Sequence, residues 1–89
     1  MARSFRRRVE NEINHPYVVE LAVVSDGLDV ELSRLIIQFH KSQHIQLRHG
    51  RRRRTTKRRG KVYYRWCFSD LLIARAFAEQ FNGELANPV

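Results

Sequence analysis

Residues 61–68 read KVYYRWCF, and the order of their side chains is typical of a β-strand. Alternate positions separate apolar residues from mostly polar or charged ones: Val62, Tyr64, Trp66 and Phe68 against Lys61, Tyr63, Arg65 and Cys67. Successive side chains of a strand point to opposite faces, so this order predicts one buried face and one open face. An antiparallel sheet with helices on only one side has this property. The stretch therefore predicts an α+β domain.

Two strands are predicted before this stretch. Residues 17–24 (YVVELAVV) follow Pro16 and are rich in β-branched side chains, so they form the first strand. Residues 44–49 (HIQLRH) alternate in the same way and form the second, with Ile45 and Leu47 turned inward. Residues 50–60 then connect this strand to the third one, within a β-hairpin.

Two helices are predicted to cover the sheet. The first follows the turn at residues 25–27, is capped by Asp26 or Asp29, and runs to about Ser42. The second is capped by Ser69 and stops at Gly83. Helical spacing marks the buried stripes as Leu28, Leu32, Leu35, Ile36 and Phe39 in the first helix, and Ile73, Ala76, Phe77 and Phe81 in the second.

The order strand, helix, strand, strand, helix predicts a ferredoxin-like split βαβ sandwich, an antiparallel sheet with two helices on one face. Residues 84–89 leave room for a short final strand. The first and third strands of that fold are central neighbours, which places Glu20 beside Tyr63 and Arg65. We divide the chain into a flexible basic leader with at most a short helical piece (1–16), one domain with a basic hairpin arm at 48–61 (17–85), and a tail (86–89).

Charge is distributed unevenly along the chain. The net charge is +8, and residues 32–69 hold twelve of the seventeen Lys and Arg residues and no acid. The rest of the chain holds five basic and nine acidic residues. One strongly positive half is the electrostatic pattern of a protein that binds nucleic acid.

The hairpin arm supplies the predicted binding residues. Its cations would neutralise phosphates, and Tyr63, between Lys61 and Arg65, would stack on a base, although tyrosine is also common on exposed strands. A two-stranded ribbon fits the DNA major groove and an arginine-rich arm also follows an RNA backbone, so both partners stay open. The predicted binding residues are Arg48, Arg51, Arg52, Arg53, Arg54, Lys57, Arg58, Arg59, Lys61, Tyr63 and Arg65, and Arg3, Arg6, Arg7 and Arg8 could fold over the same partner.

The third strand resembles the RNA-recognition motif, whose octapeptide runs basic, Gly, aromatic, small, aromatic, aliphatic, any, aromatic. Residues 59–66 (RGKVYYRW) match it at Arg59, Gly60, Tyr63 and Trp66, and depart from it at Lys61, Val62 and Tyr64. Downstream, the resemblance extends to Ala74, Phe77, Phe81, Asn82 and Gly83. It covers about the last third of the chain and implies the split βαβ fold and a base stacked on Tyr63. The first strand lacks the family's exposed aromatic residue and carries Glu20 there.

Several classes of function are not supported by the sequence. Cys67 is the one cysteine, so no internal disulfide forms, and a cytoplasmic location fits, or a nuclear one in a eukaryote. No apolar run approaches the roughly 18 residues of a membrane span, and no membrane partner is predicted. We predict no cofactor, no metal site and no catalytic residue. His40 and His44 have metal-ligand spacing but lack a second ligand pair, and we expect His40 at the negative end of its helix.

The alternative function is a protein-interaction module. The arm would then dock on an acidic protein surface. If the tail formed no fourth strand, the valine-rich first strand, Tyr17 to Val24, would be an open edge that pairs with the same strand of a second copy.

Overall fold

The structure, a computed structural model, describes residues 2–23, 30–54 and 62–86. In these ranges the helices are α1 (Ala2–Asn14), α2 (Val30–Ser42) and α3 (Leu71–Phe81). The strands are β1 (Tyr17–Val23), β2 (Arg53–Arg54), β3 (Val62–Phe68) and β4 (Glu84–Leu85). The strands form one antiparallel sheet in the order β2-β3-β1-β4. The chain therefore has the α+β fold that the alternation in residues 61–68 predicts.

The two long strands, β1 and β3, form the centre of the sheet. They pair along their whole length, from Tyr17 opposite Phe68 to Val23 opposite Val62. Glu20 lies opposite Arg65, which confirms the predicted neighbours in the middle of the sheet. The predicted core face is confirmed, because Trp66 is fully buried in the core and Tyr64 packs against it. The prediction that the other face is open is wrong, because α1 lies against it.

The core lies between one face of the sheet and the helices α2 and α3. The sheet and the helices contribute four buried residues each: Val19, Leu21, Trp66 and Phe68 from the sheet, and Ile36, Phe39, Ala74 and Phe77 from the helices. Phe77 lies at the centre, with ring centroids 5.1 Å from Phe68 and 4.8 Å from Phe81. Both helices therefore pack on the same face of the sheet.

The predicted helical stripes are wrong at two positions. Leu35 is 38% exposed and Ala76 is exposed, whereas His40 is buried with 2% of its surface accessible. The buried side of α2 is Ile36, Phe39 and His40, which have the i, i+3, i+4 spacing of one helix face. Leu35 lies about 40° beyond Phe39 on the helical wheel, at the margin of this face, which agrees with its partial exposure.

The start and the end of α3 differ from the prediction by one residue each. The N-cap is Asp70, whose carboxylate accepts hydrogen bonds from the backbone N–H of Leu72 and Ile73. Ser69 is not the cap, and its hydroxyl contacts the His15 ring instead. At the other end Asn82, not Gly83, has the left-handed conformation, with φ 61°. Gly83 is needed for space, because a Cβ there would lie 2.8 Å from the carbonyl oxygen of Glu20.

The predicted second strand at residues 44–49 is wrong. His44 closes α2 in a left-handed conformation (φ 57°), and within residues 44–49 a single β-bridge joins His49 to Trp66. The regular strand β2 begins later, at Arg53. The predicted direction of the side chains nevertheless holds, since Ile45 and Leu47 both pack against the core.

The short final strand is present at Glu84–Leu85. It pairs with β1 at Val19 and Glu20, and the N–H of Ala86 donates to the carbonyl of Val18 at 2.7 Å. The predicted dimer required that no fourth strand form on this edge of β1. Because β4 covers this edge at Val19 and Glu20, the edge is not open there and the condition is not met.

The interpretation of residues 1–16 as a flexible leader is wrong for Ala2–Asn14, which form α1. Asn11 and Glu12 of this helix bond to residues 49, 51 and 65, so α1 lies against the sheet face opposite the core. Val18 and Cys67 point to that face and are nevertheless buried, at 5% and 3% exposure. The sheet therefore has helices on both sides. Across the described residues, no helix combines the length and the apolar character needed to cross a membrane.

Candidate nucleic-acid interface

Glu12 joins α1 to two basic residues of the sheet. Its carboxylate accepts the backbone N–H of Arg51 at 2.6 Å and the Arg51 guanidinium at 2.9 Å. Nη1 of Arg65 also donates to this carboxylate, at 3.2 Å. Burial raises the pKa of Glu12, but the hydrogen bonds from Arg51 and the charges of Arg65 and Arg51 outweigh it and lower the pKa overall. Glu12 is therefore held as a carboxylate.

The backbone geometry beside β3 explains why the N–H of Arg51 is available. His49 lies opposite Trp66 and Arg53 lies opposite Tyr63, so three residues, 50–52, face two residues, 64 and 65. One extra residue is therefore accommodated there, as in a β-bulge, which leaves a backbone group outside the ladder. The carboxylate of Glu12 satisfies that group from the neighbouring helix. Gly50 leaves room for it, since a Cβ at this position would lie 2.7 Å from Oε2 of Glu12.

Arg65 lies between two carboxylates on the same sheet face. Its Nε donates to Oε2 of Glu20 at 2.8 Å, in addition to its bond with Glu12. The side chains of both acids are only 12% exposed, and that of Arg65 is 20% exposed. Arg65 thus has two carboxylate partners within the chain, while Arg51, with its side chain half exposed, retains a surface that a phosphate can reach.

Further cations surround this cluster without a carboxylate partner. In the part of the chain that the structure describes, no carboxylate lies within ion-pair distance of Arg7, Arg8, Arg48 or Arg52. Arg52 is exposed, and its guanidinium carbon lies 4.9 Å from the centre of the Tyr64 ring. That spacing is a cation–π contact, which holds the arginine at the surface while leaving its N–H groups available.

The histidines near this surface experience its positive charge. His49 is half-buried, and burial lowers its pKa, with the charges of Arg8, Arg52 and His40 adding to the effect. Burial also lowers the pKa of His15, and the charge of Arg48 lowers it further. Both rings are therefore neutral at pH 7. A positive potential is what a surface for polyanions requires.

The structure describes the side chains of five of the predicted binding residues: Arg48, Arg51, Arg52, Tyr63 and Arg65. They lie on β3 and on the segment beside it, but not on one face of the sheet. Arg51 and Arg65 bind Glu12 of α1, whereas Arg52 lies over Tyr64, which packs against the core on the opposite face. Tyr63 is half-buried and lies opposite Ala22 on one side and Arg53 on the other. The side chains of Arg53 and Arg54, and all of Lys57, Arg58, Arg59 and Lys61, lie outside the described part.

Cys67 and His40 have the environment of structural residues. Burial raises the pKa of the Cys67 thiol to about 12, so the thiol is protonated at pH 7 and is a poor nucleophile. Nδ1 of His40 donates to the carbonyl of Ile36 at 2.8 Å, and the ring stacks on Phe68 in the core. Within residues 2–23, 30–54 and 62–86 no three His, Cys, Asp or Glu side chains are grouped to hold a metal ion.

Sequence reasoning missed the residues of α1 that complete this surface. Asn11 donates from its side chain to the carbonyl of His49 at 2.9 Å, and Glu12 binds the arginines. A weak signal was present, because Arg6 and Glu10, like Arg8 and Glu12, are four residues apart, the spacing of neighbours on a helix. The partners of Glu12 are 39 and 53 residues away, which no local pattern indicates.

The residues that resemble the RNA-recognition motif lie on β3 and α3. Ala74 and Phe77 are fully buried in the core, and Asn82 ends α3, so these three have structural roles. Tyr63 points to the sheet face on which α1 lies. Comparisons of the chain with protein families, with curated proteins and with solved structures found no match.

Proposed function

We propose that the protein is a nucleic-acid-binding domain that contacts phosphates through the arginines of residues 48–54 and the arm that follows them. We also propose that its α+β fold is a ferredoxin-like split βαβ unit with α1 added. The sheet order and the two helices on one face support that fold. Tyr63 is the residue proposed to stack on a base when the ligand is single-stranded.

The observation that carries this proposal is the imbalance of charge around β3 and the segment beside it. Glu12 and Glu20, the acids on that face of the sheet, are occupied by Arg51 and Arg65. The other described cations beside them have no carboxylate partner, and six more predicted ligands follow in residues 53–61. Such an excess of positive charge carries a cost in self-repulsion, and a polyphosphate relieves it through counterion release.

Binding should be measured by fluorescence anisotropy with short duplex DNA, oligo(dT) and oligo(rU), over a salt series from about 50 to 200 mM. If six to eight cations contact phosphates, log K should fall with log[salt] at a slope of roughly −5 to −7 on duplex DNA. A protein that binds none of these ligands at low salt does not have this function. Docking on an acidic protein would then become the better hypothesis.

A charge-matched pair of variants locates the binding surface. The test variant is Arg52→Gln with Arg53→Gln and Arg54→Gln, and the control is Arg34→Gln with Lys41→Gln and Arg75→Gln, on exposed positions of α2 and α3. Each removes three positive charges from a net +8. We expect the test variant to flatten the slope on duplex by roughly 2 to 3, and the control to stay near the wild type. Equal losses in the two variants would show that only net charge matters.

A further inference from the structure

A polar cleft separates α1 from residues 46–49. Its volume is about 650 Å³. Its polar lining includes three arginines, two residues with side-chain amides and one acid: Arg7, Arg8, Asn14 and Glu10 from the helix, and Gln46 and Arg48 from across the cleft. We call this space the α1 cleft. It unites cations that are about forty residues apart in sequence, Arg7 and Arg8 with Arg48.

The charges of the α1 cleft are poorly balanced. Its three arginines face one carboxylate, that of Glu10, and none of the three forms an ion pair with a described residue. Arg48 donates to the side chain of Gln46 at 3.2 Å, which fixes it at the wall of the cleft. His49 also lines the cleft. Burial lowers its pKa and the charge of Arg8 lowers it further, which agrees with an excess of positive charge.

We infer that the α1 cleft binds the phosphate backbone of a single-stranded nucleic acid, an inference that rests on the proposed function. The cleft has two walls, α1 and residues 46–49, and its volume falls within the roughly 300–1,000 Å³ of sites that enclose small ligands. A duplex carries its phosphates on a broad convex surface and does not enter a space of this size. A single strand enters with its phosphates on the arginines, as in other basic grooves that follow one strand.

The amide groups in the cleft strengthen this assignment. Asn14 and Gln46 carry both donors and acceptors, so they can bond to the base edges that a single strand leaves unpaired and, in RNA, to the 2′-hydroxyls. Asn11, next to them, is already bonded to the carbonyl of His49 and serves to hold the two walls together. The cleft therefore combines backbone neutralisation with polar groups that suit an unpaired strand.

The test compares two variants of equal charge with oligo(dT) as the probe. The cleft variant is Arg7→Gln with Arg8→Gln and Arg48→Gln. The control is Arg34→Gln with Lys41→Gln and Arg75→Gln, which removes the same charge from exposed positions of α2 and α3 and leaves the α1 cleft unchanged. Because glutamine forms helices about as well as arginine, α1 should persist, and circular dichroism verifies this. We expect the cleft variant to bind oligo(dT) roughly tenfold more weakly than the control, with a salt slope flatter by about 2.

A second measurement on the wild type does not depend on the folding of any variant. The side-chain amide signals of Asn14 and Gln46 should shift in NMR spectra when oligo(dT) is added. If the wild type binds oligo(dT) while these signals stay fixed and the two variants bind equally, the cleft is not the site and the proposed function stands. If the wild type binds duplex DNA only, the inference is also wrong. If it binds no nucleic acid, both proposals fail.

Discussion

The carboxylate of Glu12 accepts the backbone N–H of Arg51 at 2.6 Å, although the two residues are 39 positions apart. This bond joins α1 to the place where an extra residue interrupts the pairing beside β3. The same carboxylate neutralises part of the charge of Arg51 and Arg65. One acid therefore determines both where α1 lies and how much positive charge the sheet presents.

Replacing Glu12 should destabilise the protein. Glu12→Ala removes the partner of a backbone N–H and of two guanidinium groups, and we expect the free energy of unfolding to fall by about 1–3 kcal/mol. Urea denaturation followed by tryptophan fluorescence of Trp66 measures this loss. Glu10→Ala is the control, because Glu10 is exposed on the same helix, and it should change stability by less than about 0.5 kcal/mol. Equal effects would mean that the Glu12 bonds contribute nothing.

Tyr63 should matter for single strands and not for duplexes. Removing a stacked ring costs about 1–3 kcal/mol per base, so Tyr63→Ala should weaken oligo(dT) binding by roughly 5- to 150-fold. Tyr63→Phe keeps the ring and should bind like the wild type. Duplex DNA should bind all three proteins equally. A loss on duplex as large as that on oligo(dT) would argue for a structural role of Tyr63 beside Ala22 and Arg53.

Stability should fall as the pH falls below about 6.5, the ordinary pKa of histidine. Burial lowers the pKa of His40 in the folded protein, and the bond to Ile36 offsets only part of this. Between the two pKa values the unfolded chain therefore binds more protons than the folded one, and the folded state loses up to about 1.4 kcal/mol per pH unit for this residue.

His40→Leu tests this pH dependence, because it removes the titrating group and fills its place in the core with an apolar side chain of similar size. Urea denaturation at several pH values should show a shallower dependence than in the wild type, where His15 and His49 contribute in the same direction. An identical dependence in the two proteins would show that His40 does not titrate differently in the folded and unfolded states.

Gly83→Ala should destabilise the junction between α3 and β4. The new Cβ would lie 2.8 Å from the backbone oxygen of Glu20 and 2.8 Å from Cδ2 of Leu21. Overpacking of this kind costs about 1–3 kcal/mol, measured as a lower midpoint of thermal or urea unfolding. Asn82→Gly, at the adjacent left-handed position, should be neutral or slightly stabilising. A stable Gly83→Ala protein would mean that β4 shifts away from β1 without cost.

The sequence predicted the centre of the fold well and its periphery poorly. The alternation in residues 17–24 and 61–68 sets the burial of β1 and β3, and their pairing follows from the order of elements. That pairing also predicted the Glu20–Arg65 neighbours. These features depend on side-chain periods of two residues, which a sequence displays directly.

The remaining features depend on contacts that periodicity does not encode. The strand β2 begins at Arg53, after the bridge at His49, because one extra residue opposite residues 64 and 65 interrupts the pairing between them. The position of α1 depends on Glu12, whose partners are distant in sequence. His40 can be buried because its Nδ1–H donates to the carbonyl of Ile36 within its own helix. A hydropathy pattern counts histidine as polar and therefore does not predict its burial. Of the predicted binding residues, Arg51 lies beside β3, but its pairing with Glu12 of α1 was not foreseen.

Because Cys67 is buried beneath α1, the reactivity of its thiol reports whether α1 is packed against the sheet. The thiol is 3% exposed on the sheet face against which α1 lies, and at pH 7 it is protonated. An alkylating reagent can modify it only in molecules where that face has transiently opened. The modification rate, followed by mass spectrometry with and without a bound oligonucleotide, would therefore report whether the ligand holds α1 in place or displaces it.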